Sequence, residues 1–260
     1  MINVVIDDYR VIIAFWLIFS RVLPIIMQLP LFDNVSIPMI VTILATLVIS
    51  YGFFPIVASE VYRDIDYMGV NNFWILTIYN VLVGLVIGYM VKVIMQVFVA
   101  AGGVMTQQLG FSAVRYFDQS AGVAVGPYEE LIHWTMLVMI ISTGALLPMF
   151  KGMLGSFSSV HIFDWGNLRT LIPFFSKFFS ATFVSALMLA SPIIVVNLII
   201  MGVLGIIART VPQMNVLMVS FVVNIGLGFL IFISISGEFF NVGYKMYLDY
   251  LADWFHMLST

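Results

Sequence analysis

Cysteine is absent from this 260-residue chain, and charged side chains make up only 9% of it, against about a quarter in soluble domains. The first absence excludes disulfides, thiol nucleophiles and cysteine-ligated zinc or iron–sulfur clusters. The second excludes a solvated globular surface. Ten Lys plus Arg against thirteen Asp plus Glu leave a net charge of −3, too little basic character to track a phosphate backbone, so nucleic acid is not an expected partner. Catalytic and nucleotide motifs are missing too. There is no GxxxxGK[ST], HExxH or GxSxG, and His133, His161 and His256 have no ligand-like spacing, so no catalytic residues, metal ligands or cofactors are expected.

What the chain has instead is apolar length, with 62% hydrophobic residues. A spanning helix needs roughly 20 mostly apolar residues, because backbone groups in lipid must be satisfied internally. Residues 35–58, 67–91, 131–150, 178–208 and 210–237 carry no Asp, Glu, Lys or Arg, and 11–31 makes a sixth run interrupted by Arg21 and Pro24. The run 93–114 is uncharged but glycine-rich, and reads as helical only in its first half. Contiguous rather than alternating apolar residues argue against a β-barrel. The expected fold is all-α and polytopic, a single integral unit, with loops at 59–66, 102–126 and 151–172. Asp7 and Asp8 stand where a secretory signal would be basic, so the first helix is expected to stay attached.

Pro127 before Glu129 and Glu130 marks a helix start, where the carboxylates favour the positive end of the helix dipole. Basic residues are too scattered to fix orientation firmly; an N-inside arrangement leaves Lys92, Arg115 and Arg209 outside or within spans. Arg21, Lys92 and Arg209 are either intramembrane functional charges or snorkelling, interface-paired ones. Asn80, Asn197 and Asn224 serve equally well as interhelical hydrogen bonds or as part of a transport path. The tail 238–260 is amphipathic, with Tyr250, Trp254 and Met257 apart from Asp249 and Asp253, as an interfacial or partner-binding helix would be.

Two stretches carry more information. Ala101–Gly122, AGGVMTQQLGFSAVRYFDQSAG, combines four glycines and two adjacent glutamines with Met105, Phe111 and Phe117. Irregular backbone between spanning helices is tolerated where it is buried in protein or lines a water-filled cavity, so a re-entrant or pore-lining loop is expected, with a surface loop as the plainer alternative. Ala208–Asn215, ARTVPQMN, reads as the turn of a helical hairpin, with Pro212 suited to a first helical turn and Gln213 and Asn215 offering side-chain hydrogen bonds. It is a capped turn or a docking surface.

Three blocks together resemble the FliR family of flagellar export proteins, which includes the SctT-type proteins of injectisomes. They are RVLPIIMQLPLFDNVSIP, with Arg21, Pro24, Pro30, Phe32 and Pro38; AGGVMTQQLGFSAVRYFD; and GIIARTVPQMNVLMVSF. The likeness covers nearly the whole chain in order, and Pro-Gln-Met-Asn between two spans is its most specific part. The chain departs from the family pattern at Gln119, where many members have Pro, and at Ser220-Phe221-Val222, in place of Gly-Phe-Pro.

The resemblance implies a non-enzymatic subunit of the type III export gate in the bacterial inner membrane at the flagellar basal body. Implied partners are FliP-like and FliQ-like subunits in a hetero-oligomer, an FlhB-like protein, and unfolded export substrates. It implies a FliP-like part over 1–150, a connector at 151–177, a FliQ-like hairpin at 178–237 and the tail. It further implies an assembly standing largely above the membrane plane. The glycine-rich segment 102–126 would be the channel plug, carried by Gly102, Gly103, Met105, Gln107, Gln108, Gly110, Phe111, Arg115, Phe117 and Asp118. Arg209, Pro212, Gln213 and Asn215 would form a cytoplasm-facing docking turn. Phe and Met side chains on a glycine-permissive backbone suit a displaceable seal. A secondary transporter would instead show paired broken helices, and an intramembrane enzyme a convergent nucleophile and base.

Overall fold

The computed structural model describes residues 9–32, 37–111, 126–163, 168–211, 213 and 215–259. Every regular element among them is helical. Seven α-helices follow in order: α1 Tyr9–Gln28, α2 Met39–Met68, α3 Phe73–Gln108, α4 Pro127–Ser142, α5 Leu146–Ser159, α6 Leu168–Thr210 and α7 Val216–Ser259, with a short 3₁₀ turn at Val70–Asn72. Five of these helices are long and apolar enough to cross a membrane, and the bent pair α4 and α5 makes a sixth span if counted as one. The chain is thus an all-α polytopic membrane protein. Its apolar exterior agrees, with Val48, Trp74, Phe183, Leu198, Val222 and Ile233 all exposed.

Helix boundaries differ from those drawn between charges. α2 does not stop at Ala58 but continues through the supposed loop 59–66, because its charges find partners: Arg63 with Glu60 at 3.0 Å, one turn apart, and Arg10 with Asp66 at 3.0 Å. α1 runs unbroken through Pro24. The ring is accommodated because α3 presents Gly84 opposite it; a Cβ there would overlap the Arg21 carbonyl oxygen and lie 2.7 Å from the Pro24 Cγ. One turn on, a Cβ at Gly88 would lie 3.0 Å from the Ile25 Cα. This Gly-x-x-x-Gly face brings two backbones together as small residues do in membrane bundles.

The expected span 131–150 is broken. α4 and α5 meet at a 75° bend across Thr143–Ala145, where Gly144 takes φ +72°. Only glycine adopts that left-handed conformation without strain, so the break is written into the chain. The expected loop 151–172 is largely helix as well, belonging to α5 and the start of α6. α6 and α7 are 43 and 44 residues long. At 1.5 Å per residue each measures about 65 Å, roughly twice a bilayer's hydrocarbon core.

By contacts the chain forms two units. The first comprises residues up to Val93, Gly144–Phe174 and those from Asp249 onward; the second comprises Ile94–Thr143 and Phe175–Leu248. In the first, α1 lies on α2, with Phe15 and Phe54 rings 6.2 Å apart. One face of the tail helps fill this unit's core: Leu251 and Trp254 are buried, Trp254 packs near Phe174, and a Cβ on Gly152 would overlap the Phe255 ring, while Asp249 and Asp253 are exposed. The second unit is built around aromatic rings on α7. Tyr128 of α4 stacks on Phe229 at 5.1 Å and meets Phe232 edge-on at 5.2 Å.

Candidate functional site

The start of the glycine-rich segment is helix, which corrects the expectation of irregular backbone from residue 102. α3 continues to Gln108 because Gly102 and Gly103 form a seat for α4 rather than a break. A Cβ on Gly102 would stand 2.8 Å from the Glu129 Cα and 2.9 Å from the Tyr128 carbonyl oxygen. At the far end of the segment, a Cβ on Gly126 would overlap the Thr106 side chain. Two glycines, one on each strand of the base, therefore let α3 and α4 approach backbone to backbone.

Capping completes this base. Pro127 occupies the first turn of α4, where its missing N–H costs nothing, and the Gly126 N–H donates to Glu129 Oε2 at 3.2 Å. α3 ends where the Gly110 N–H donates to the Gln107 carbonyl at 3.1 Å and Gly110 takes φ +84°. Just beyond, Phe111 packs edge-on against both Tyr128, at 6.1 Å, and Phe229, at 6.0 Å. The two ends of the segment are thus gathered on one ring of α7.

The same base meets both arms of the α6–α7 hairpin. The Asn197 side-chain N–H donates to Gln108 Oε1 at 2.8 Å. A Cβ on Gly110 would lie 3.1 Å from the Phe221 ring, and one on Gly228 would overlap Leu109. Asn224 is buried on that face of α7, one turn from Phe221. Met105 is buried, Gln107 exposed. Gln108 and Asn197 are therefore an interhelical hydrogen bond, one of the two accounts open from sequence. Arg115, Phe117 and Asp118 lie outside the described residues.

At the hairpin turn, Arg209, Gln213 and Asn215 are exposed, and Pro212 lies outside the described residues. Asn215 caps α7: its Oδ1 accepts from the Met218 N–H at 3.4 Å, and its carbonyl accepts from the Val219 N–H at 3.2 Å.

Arg21, Pro24, Pro30 and Phe32 lie in the first unit, with Pro24 and Pro30 buried, Phe32 half-buried and Pro38 exposed before α2. Arg21 does not snorkel. It is 1% exposed and donates from Nε to Asn80 Oδ1 at 2.8 Å, and from its terminal nitrogens to the Ser156 carbonyl at 2.8 Å and the Val160 carbonyl at 3.3 Å. Its guanidinium carbon stands 4.4 Å from the Phe157 ring centroid. A cation thus closes the C-terminal end of α5, adding a second donor to the Ser156 carbonyl, which already accepts from the Val160 N–H, and meeting the carbonyl of Val160 just past the helix. Next to it lies a group of residues that charge counting assigned to loops. His161 Nδ1 is 3.2 Å from Asp64 Oδ1, and its Nε2 is 3.2 Å from the Ser158 carbonyl and 3.7 Å from Glu60 Oε2. The signal was present in the sequence: in so charge-poor a chain every ionisable group needs a partner, and Glu60 and Asp64 lie one turn apart on α2.

Among the described residues, no three His, Asp or Glu side chains group as a metal site. Comparison with known proteins agrees with the order of the three blocks. The model of the bacterial export proteins, family 1, matches residues 12–248. The chain is 25% identical over 232 residues to the flagellar biosynthetic protein FliR of Bacillus subtilis, covering 88% of each chain. To the surface presentation of antigens protein SpaR of Shigella flexneri it is 24% identical over 225 residues, covering 86% of each. To FliR of Escherichia coli it is 21% identical over 208 residues, covering 80% of this chain and 78% of the relative. This chain belongs to the bacterial export proteins, family 1, the FliR family of type III export proteins.

Proposed function

We propose that this component of the type III export gate works in the bacterial inner membrane at the flagellar basal body, assembled with FliP-like and FliQ-like subunits and joined by an FlhB-like protein. Unfolded export substrates pass through the channel so formed, and residues 102–126 supply its plug. The observation that carries the plug reading is the base of that segment. Gly102, Gly126 and the Phe111–Tyr128–Phe229 cluster hold its two ends together, which gives a plug a fixed base in α3 and α4. A seal of this kind needs a fixed frame and a yielding middle.

The chain's role is structural and conductive rather than enzymatic. The FliP-like part, 1–150, and the FliQ-like hairpin, 178–237, would each meet the subunit they resemble, with Arg209, Pro212, Gln213 and Asn215 facing the cytoplasm. The exposed position of Arg209, Gln213 and Asn215 supports that docking turn. The injectisome branch is the second reading, favoured by a SpaR relative that matches almost as well as the FliR of Bacillus subtilis.

The test has two arms. Co-expression with the FliP- and FliQ-like proteins of the same genome, followed by native mass spectrometry in mild detergent, should recover one copy inside a larger hetero-oligomer; recovery alone would refute the assembly. Replacing residues 112–125 by a short Gly-Ser link should leave that assembly intact and make the membrane leak ions during export. A tight membrane in an assembled variant would remove the plug.

A further inference from the structure

The charged cluster of the first unit has the parts of a proton pathway. Glu60 lies at the surface end, its side chain 26% exposed and paired with the exposed Arg63. Asp64, one turn along α2, is 3% exposed and also accepts from the Ile162 N–H. His161, itself 7% exposed, stands between the two carboxylates, with a different ring nitrogen toward each. Its ring is held by stacking on Phe163, with centroids 5.0 Å apart and planes 8° from parallel. Phe163 in turn packs on Tyr67. Among the described residues, the other charged or titratable groups facing this cluster are Arg21 on α1, whose charge acts on Asp64, and Tyr79 on α3, beside Arg21.

We infer that Glu60, His161 and Asp64 form a relay that loads a single proton from the exposed side of α2 onto the buried carboxylate of Asp64. A hydrated proton binds Glu60, and the resulting acid O–H gives it to Nε2 of a neutral ring that carries its hydrogen on Nδ1. The imidazolium then releases the Nδ1 proton to Asp64 Oδ1, leaving a neutral ring with its hydrogen on Nε2. Glu60 is again a carboxylate, one proton has moved from water to Asp64, and no electrons have changed hands. The reverse sequence unloads it.

The geometry completes the loaded state and the imidazolium that precedes it, whose two N–H groups donate to Asp64 and to the Ser158 carbonyl. Before loading, Nδ1–H donates to the Asp64 carboxylate; after loading, Nε2–H donates to the Ser158 carbonyl and the Asp64 acid O–H donates to Nδ1. A static imidazolium–Asp64 pair would also use the Ser158 carbonyl, but it would have no use for a second carboxylate, Glu60, on the outer side. Histidine suits this task because either nitrogen can carry the hydrogen near neutral pH. Loading also removes a negative charge that acts on Arg21, which ties α1, α3 and the end of α5 together. The proton on Asp64 is therefore felt at three helices. The relay goes beyond the export-gate reading and does not depend on the plug.

The test is infrared difference spectroscopy of the full chain, purified in mild detergent, after a rapid drop in pH. A protonated-carboxyl band should rise in the wild type and be missing in Asp64→Asn. His161→Gln should slow its rise on the order of 100-fold, the scale of a lost positioned proton carrier. Glu60→Gln, an isosteric change at a half-buried position, should slow the rise while leaving its final amplitude unchanged, which a merely structural role would not do. The inference is overturned if no band is lost in Asp64→Asn, or if the Glu60→Gln variant loads at the wild-type rate.

Discussion

Gly102 and Gly103 are neighbours in one helix, yet alanine at each should have opposite effects. Both substitutions gain about 0.5–1 kcal/mol from replacing glycine inside a helix. At Gly103 the new methyl meets only the end of the Glu129 side chain, 3.1 Å away at Oε1, which can turn aside. At Gly102 it meets backbone, the Glu129 Cα at 2.8 Å and N at 2.9 Å, and backbone yields only if α3 and α4 separate. Overpacking of that kind costs about 1–3 kcal/mol. Gly102→Ala should therefore lose a net amount of about 0.5–2 kcal/mol while Gly103→Ala stays neutral or gains a few tenths. For a chain this size that is a fall in melting temperature of about 2–6 °C for the first variant alone. Thermal unfolding of the two proteins in the same detergent measures it. Equal melting temperatures would refute the seat that Gly102 forms for α4.

Two further substitutions probe the other sites. Arg21→Met strips donors from Asn80 Oδ1 and the part-buried Val160 O, which at ~1–3 kcal/mol per orphaned acceptor should cost about 2–6 kcal/mol in unfolding experiments; Arg21→Lys should recover only part, since one ammonium cannot reach all three acceptors. Asn215→Ala removes a long, weak cap worth about 0.5 kcal/mol, which Asn215→Ser restores. If the turn docks a partner, secretion should fall in both variants; rescue by serine would show that capping alone matters.

Much of the architecture was legible as apolar length, and the reasons for the rest are specific. The hairpin was read as 178–208 and 210–237, and α6 and α7 do flank that turn, but each extends well past the charges used to end it, because Lys177 and Glu238 sit on helix surfaces rather than in loops. The start of α4 was legible because Pro127 and Glu129 act locally. Pro24 misled as an interruption, since what accommodates its ring is Gly84, 60 residues away. Gly102 misled for the same reason: a glycine that breaks a helix and one that admits a neighbouring helix look alike until the neighbour is known. At the candidate sites, Gln108 was singled out but its bond to Asn197 was not, and Asp64 and His161 were assigned to loops because nothing local marks their pairing across 97 positions.

The placement of Trp254 has a consequence for the order in which the molecule is made. The unit that holds α1 and α2 includes Leu251 and Trp254 in its core, beside Phe174, Gly152 and Phe255. Domains generally fold as they emerge, N-terminal parts first. Here α1 and α2 enter the membrane before Leu251 and Trp254, which complete the core of their unit, have been made. Until α7 has been made as far as Phe255, the first unit lacks the tryptophan at its centre and must wait incomplete.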